Sequence, residues 1–120
     1  AQQIVQSVID SGQAFNVIYA ENDDMAKGAV AALDKANISH GVGKDVIVMG
    51  FDCNKWALEE LLNQNWNYDG QCNPYQASYI EDVIKKLESG EKIDEKTIIM
   101  DEKGFDATTI TQDDVDQFGI

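Results

Sequence analysis

The apolar positions between Phe15 and Leu33 change their period once, and that change marks out a strand, a turn and a helix. Residues 16–20 carry Val17, Ile18 and Tyr19 in a run without alternation, the pattern of a strand covered on both faces, as in parallel sheets. From Met25 onward, Ala26, Ala29, Val30, Leu33 and Ala36 follow the i, i+3, i+4 spacing of one helix face. Asn22 and Asp23 lie between, where a side-chain oxygen can accept from the free N–H groups of the helix start, so the turn is also an N-cap. Gly28 costs about 1 kcal/mol against alanine in a helix interior, which predicts close approach to a neighbouring backbone. Open parallel sheets bind ligands beyond the C-terminal ends of their strands, and Asn22 falls there.

The same alternation of periods continues on both sides. Residues 2–11 place Ile4, Val5, Val8 and Ile9 on one face, with Gly12 as a stop, and predict a short amphipathic helix. A polar loop over 37–44 holds His40, the chain's one histidine. Val46 to Phe51 is a β-branched run leading to Asp52, a second parallel strand reached by a right-handed crossover. Trp56, Leu58, Leu61 and Leu62 mark the next helix. Residues 68–72 form a third, short strand that Pro74 stops, because proline has no N–H for the ladder. The stripe Tyr79, Ile80, Val83, Ile84 and Leu87 predicts a helix over 75–89, and KTIIMD predicts a last strand over 96–101. Thr111 and Asp114 have capping spacing for a terminal turn that carries Val115 and Phe118. The expectation is three or four parallel strands flanked by helices, with the Asp52 strand between the other two.

Composition narrows the function classes. The net charge is −13 and all nine basic residues are lysines, a poor match to nucleic acid, whose binding rests on neutralised phosphates. Without arginine there is no bidentate grip on phosphate or carboxylate, and a neutral, hydroxyl-rich ligand fits better. No apolar run is long enough to span a bilayer. A lone histidine excludes a metal site built on several imidazoles, and Asp23, Asp24 and Asp52 lack the spacing of a calcium loop, so no metal is expected. There is no nucleophile motif, Cys-x-x-Cys or phosphate-binding glycine loop, and the chain reads as non-enzymatic and free of cofactors.

Three segments in order carry a resemblance: YAENDDMAKGAVAAL, GKDVIVMGFD and QCNPY. Together they resemble the cleft segments of type I periplasmic sugar-binding proteins, the ribose, galactose and galactofuranose group that feeds ABC transporters. The resemblance spans roughly residues 4–105 and implies an α/β fold, a Rossmann-like parallel-sheet lobe of the periplasmic binding protein type I fold. It also implies that an upstream lobe and the first strand of the present one are missing, which makes the chain a C-terminal lobe fragment. Residues 1–73 would then be the incomplete sugar-binding lobe, and 74–120 a crossover segment with helix 75–89, strand 96–101 and a tail.

The site implied by the resemblance has Asp52 as its main acceptor of sugar hydroxyls, with Asn22 both donating and accepting. Helix capping is the plain alternative role for each. Where the ribose-type pattern keeps a glutamine two places before the proline, this chain has Cys72, a weak donor. Asn73 matches a cleft or hinge position of the galactofuranose type, and Trp56 offers a face for a sugar ring or, more simply, core packing. Cys53 and Cys72 end two strands that meet at the cleft, so free thiols and a disulfide both stay open.

The resemblance implies a solute-binding component that closes on a monosaccharide and delivers it to a permease. Export to the periplasm or the cell exterior follows, with a lipid anchor in the full-length protein as one form of it. The competing readings are the effector domain of a LacI-type regulator and a sugar-sensing receptor domain. The regulators carry Leu-Thr-Thr before the third cleft strand where this chain has NWNYDGQC, which favours transport. In the family the 75–89 helix packs on the other lobe. Its uncovered stripe therefore predicts a dimer formed by exchanging residues 75–101 about Asn73 and Pro74.

Overall fold

The computed structural model describes residues 1–94 and 96–120. In chain order these form α1 (Gln2–Asp10), β1 (Val17–Tyr19), α2 (Asp23–Lys35), β2 (Ile47–Asp52), α3 (Lys55–Leu62) and β3 (Tyr68–Gln71). Then come α4 (Ala77–Glu88), β4 (Gly104–Asp106) and α5 (Gln112–Phe118). The chain divides into two compact units, one of Ala1–Cys72 with Lys103–Ile120, the other of Asn73–Glu102. The segment 74–120 is thus shared between them, because β4 and α5 belong to the first unit.

The first unit is a sheet in the order β1-β2-β3-β4, with helices packed on it. Strands β1, β2 and β3 are parallel, and β2 lies in the middle as expected, with Tyr19 opposite Met49 and Asp52 opposite Gln71. The sheet is mixed rather than all parallel, since β4 runs antiparallel to β3 with Phe105 opposite Asp69. Two successive right-handed crossovers in one direction put α2 and α3 on the same face. Their stripes, Ala26 and Leu33 on α2 and Ala57, Leu58 and Leu61 on α3, close over Val48 and Trp66 in the main core. Gly28 has the predicted close neighbour: a Cβ there would lie 3.3 Å from the backbone nitrogen of Gln2. Thr111 and Asp114 form the expected capping box at the start of α5.

The opposite face of the sheet corrects one expectation. Val17, Tyr19 and Ile47 are exposed, so the unalternating strands are covered on one face only. On that side Tyr19, Phe51 and Tyr68 form an aromatic row, with centroids 5.1 and 6.5 Å apart. Gly70 makes room for it, since a Cβ there would stand 2.5 Å from the Phe51 ring.

The second unit holds α4, and its other described residues form no helix or strand. Residues 96–101 form no strand, contrary to expectation. A strand needs a ladder partner for its N–H and C=O groups, and no other strand lies within Asn73–Glu102 among the described residues. Ile98 and Ile99 are accordingly exposed. No helix among the described residues is long and apolar enough to cross a membrane.

Candidate functional site

Parallel strands β1 and β2 bring Asn22 and Asp52 to the same, C-terminal edge of the sheet. Asn22 takes its capping role, its side-chain oxygen accepting from the Met25 N–H at 2.8 Å. Its carboxamide NH2 makes no hydrogen bond among the described residues and stays available as a donor. Asp52 caps nothing. Its half-buried carboxylate has no hydrogen-bond partner among the described residues, and the N-cap of α3 is Asn54, two residues later, whose side chain makes no cap bond.

The backbone at this point is strained. Asp52 has φ 126° and Cys53 φ 63°, two consecutive non-glycine residues in the region that favours glycine. Each such residue costs about 1–3 kcal/mol, and costs of this kind collect where a side chain must be aimed for function. The turn lifts Asp52 to the rim while Cys53 points into the core, where it is fully buried.

Asp23 ties the two turns together. Its carboxylate accepts from the Asn54 backbone N–H at 2.9 Å and from the Asn54 side chain at 3.1 Å. It thereby caps α3 from the start of α2, and it is fully buried, as is Asp69 on β3. Burial pushes the Asp23 carboxyl above its ordinary range, against the opposing pull of the Asn54 N–H. Asp69 is pushed up to about 8, first by burial and then by the charge of Asp23. The Cys53 thiol is pushed up by burial and by the same two carboxyls, which keeps it neutral. Gly50 leaves the space that Asp23 needs, since a Cβ there would meet an Asp23 carboxyl oxygen at 2.6 Å.

The other residues singled out from sequence lie elsewhere. Trp56 packs edge-on against Trp66, with centroids 5.8 Å apart, and the Lys27 ammonium sits 4.4 Å over its ring. It lines a cleft of about 400 Å³ with Lys27, Val30, Asp34, His40 and Glu60, on the helix layer. Cys72 follows β3 and is exposed, and both cysteines are free thiols. The disulfide is not formed because the Cys53 sulfur faces the core, 3.9 Å from an Asp69 carboxyl oxygen. Asn73 belongs to the second unit, where its oxygen accepts from the Tyr75 N–H at 2.9 Å and starts the turn into α4. His40 is fixed within its loop, its Nδ1 donating to the Asn65 carbonyl at 2.8 Å and its Nε2 lying 3.0 Å from Asp34.

Sequence reasoning missed the roles of Asp23 and Asp69. The signal was present for Asp69: a carboxyl in the middle of a short strand, next to a glycine, has to be buried or exposed at an edge.

Comparison with known proteins places this geometry in context. The chain is 30% identical over 111 residues to the fructose import binding protein of Bifidobacterium longum, covering 91% of this chain and 32% of that protein. Over 61 residues it is 33% identical to the ribose import binding protein of Bacillus subtilis, covering 51% of this chain and 18% of that one. A solved galactofuranose binding protein superimposes with a TM-score of 0.82 at 21% identity, over 98% of this chain and 40% of the other. The chain therefore spans about a third of the length of the first of these relatives. No protein-family model matches it.

Proposed function

We propose a function on one premise, that this chain belongs to the type I periplasmic sugar-binding proteins. In this reading it supplies one wall of a cleft that takes a monosaccharide, and the protein passes the sugar to an ABC permease. The observation that carries it is the unpaired carboxylate of Asp52, held by strained backbone at the ligand-binding edge of the sheet beside Asn22. A carboxylate that accepts from two hydroxyls and an amide that donates suit a neutral sugar, and the absence of arginine disfavours an anion. Capture would proceed by closure of two lobes with water expelled from the cleft, without catalysis. The relatives named above are binding proteins for import, which supports an exported protein over a regulator domain.

A panel of monosaccharides that includes fructose, ribose and galactofuranosides, scored by thermal shift, tests this. One sugar should raise the melting temperature in proportion to the logarithm of its concentration. A flat response to every sugar contradicts the reading.

The exposed stripe on α4, with Tyr79, Ile80, Ile84 and Leu87 open to solvent, supports self-association of the 120-residue chain by exchange of residues 75–101. Light scattering should then give a dimer at high micromolar concentration. A monomer at all concentrations contradicts this assembly.

A further inference from the structure

Asp23 and Asp69 are the two polar residues fully buried in this unit, and each keeps one oxygen without a partner: Oδ1 of Asp23 and Oδ2 of Asp69. The other oxygen of Asp23 takes both bonds from Asn54, and the other oxygen of Asp69 faces the weakly donating Cys53 thiol. The two side chains approach each other across the space left by Gly50, which pairs with Asp69 in the sheet and whose added Cβ would meet Oδ1 of Asp23 at 2.6 Å, so they are placed for a hydrogen bond between them. Two carboxylates cannot make that bond, since neither has a hydrogen to give. One proton between them satisfies both orphan oxygens at once, and it removes a charge that the core could not solvate.

We propose that Asp69 keeps its proton in the folded protein and donates it to Asp23, and that this buried pair positions the strand ends carrying Asn22 and Asp52. The assignment of the proton follows from the surroundings. Asp23 accepts two hydrogen bonds from Asn54 and is the better carboxylate, whereas Asp69 faces only Cys53, with its thiol at 3.9 Å and its backbone N–H. The titratable groups facing Asp69 are Asp23 from the start of α2 and Asp52 and Cys53 from the end of β2. Its neighbour on β4 is Phe105, and α3 turns Ala57, Leu58 and Leu61 inward, so no cation is supplied by the packed elements. The positions explain the consequence. Asp23 follows Asn22 directly, its partner Asn54 lies two residues after Asp52, and Asp69 sits on the strand beside β2. A single network thus joins the ends of β1 and β2 to the middle of β3, just beneath the rim.

The pair makes stability depend on pH in a definite direction. The Asp69 carboxyl is held at about 8 in the fold against an ordinary 3.8, so folding takes up a proton between those values. Its contribution is full below the lower value and is lost as pH rises toward the upper one. The folding constant then falls by up to about tenfold per pH unit for one proton, and the dependence levels off above the upper value. Asparagine at position 69 imitates the protonated acid, because its NH2 can donate to Asp23 without titrating.

The experiment is a carbon NMR titration of aspartate side-chain carboxyls in the purified protein, paired with urea unfolding of wild type and Asp69→Asn across pH 5–9. One carboxyl carbon should stay protonated at neutral pH and titrate near 8, and it should be missing from Asp69→Asn. The variant should also lose most of the wild-type slope of stability with pH. Titration of every aspartate in the ordinary range overturns the proposal, as does an unchanged slope in Asp69→Asn. The positioning role rests on the functional reading above, whereas the proton is read without any sugar. A late-titrating Asp69 in a protein that binds no sugar would leave the pair standing and remove only that reading.

Discussion

Trp66→Ala should destabilise the protein by about 3–5 kcal/mol, the range for removing a large aromatic from a core that cannot fully collapse. Trp66 is 1% exposed, the largest of the fully buried side chains. Its ring lies edge-on to Trp56 and fills the space over Gly50, where a Cβ would stand 2.9 Å from it. Removing the indole opens a void between α3 and β2, directly beside Asp23. Urea unfolding gives the loss as a lower midpoint at unchanged slope. A loss below about 1 kcal/mol would mean that the helices slide together and that packing here is not what fixes the turn. Phenylalanine at the same position should recover most of the loss, since it restores apolar volume and edge-to-face contact with Trp56.

The core around Trp66 also shows which features could be read from the chain. Strands β1 and β2 and helix α2 were legible because their apolar period changes sharply at Asn22, and the Asn22 cap was legible because its spacing to Met25 is local. The shared edge of Asn22 and Asp52 followed from parallel connection alone. Features set by tertiary neighbours were not legible. KTIIMD has strand-like residues but no ladder partner among the described residues of its own unit, while GFD becomes β4 because β3 presents a free edge to it. The positive φ of Asp52 and Cys53 has no local signature, since neither residue type announces a left-handed turn as glycine would. Asp23 looked like one of several acidic turn residues, and only the fold shows that it reaches across to Asn54 while Asp24 remains in solvent.

Asp52→Ala should weaken monosaccharide binding by about 1.5–3 kcal/mol, the worth of hydrogen bonds to a charged group, or roughly a ten- to hundredfold rise in Kd. Stability should change little. The carboxylate makes no hydrogen bond among the described residues, and Asp23 rather than Asp52 caps α3. Asp52→Asn should lie between the two, since it keeps an acceptor and loses the charge. Asp52→Gly separates backbone from side chain: glycine relieves the φ of 126° and should raise stability while losing the same binding energy. Such opposite movement of stability and affinity is the mark of a strained residue kept for its side chain.

Isothermal titration of the sugar selected by the panel into wild type and Asp52→Ala is the most direct measurement of this site. The account predicts saturable one-to-one binding to the wild type and a Kd at least about tenfold higher in the variant, with both proteins equally folded. Equal affinity in the two would contradict it, leaving Asp52 as a strained turn residue with no part in recognition.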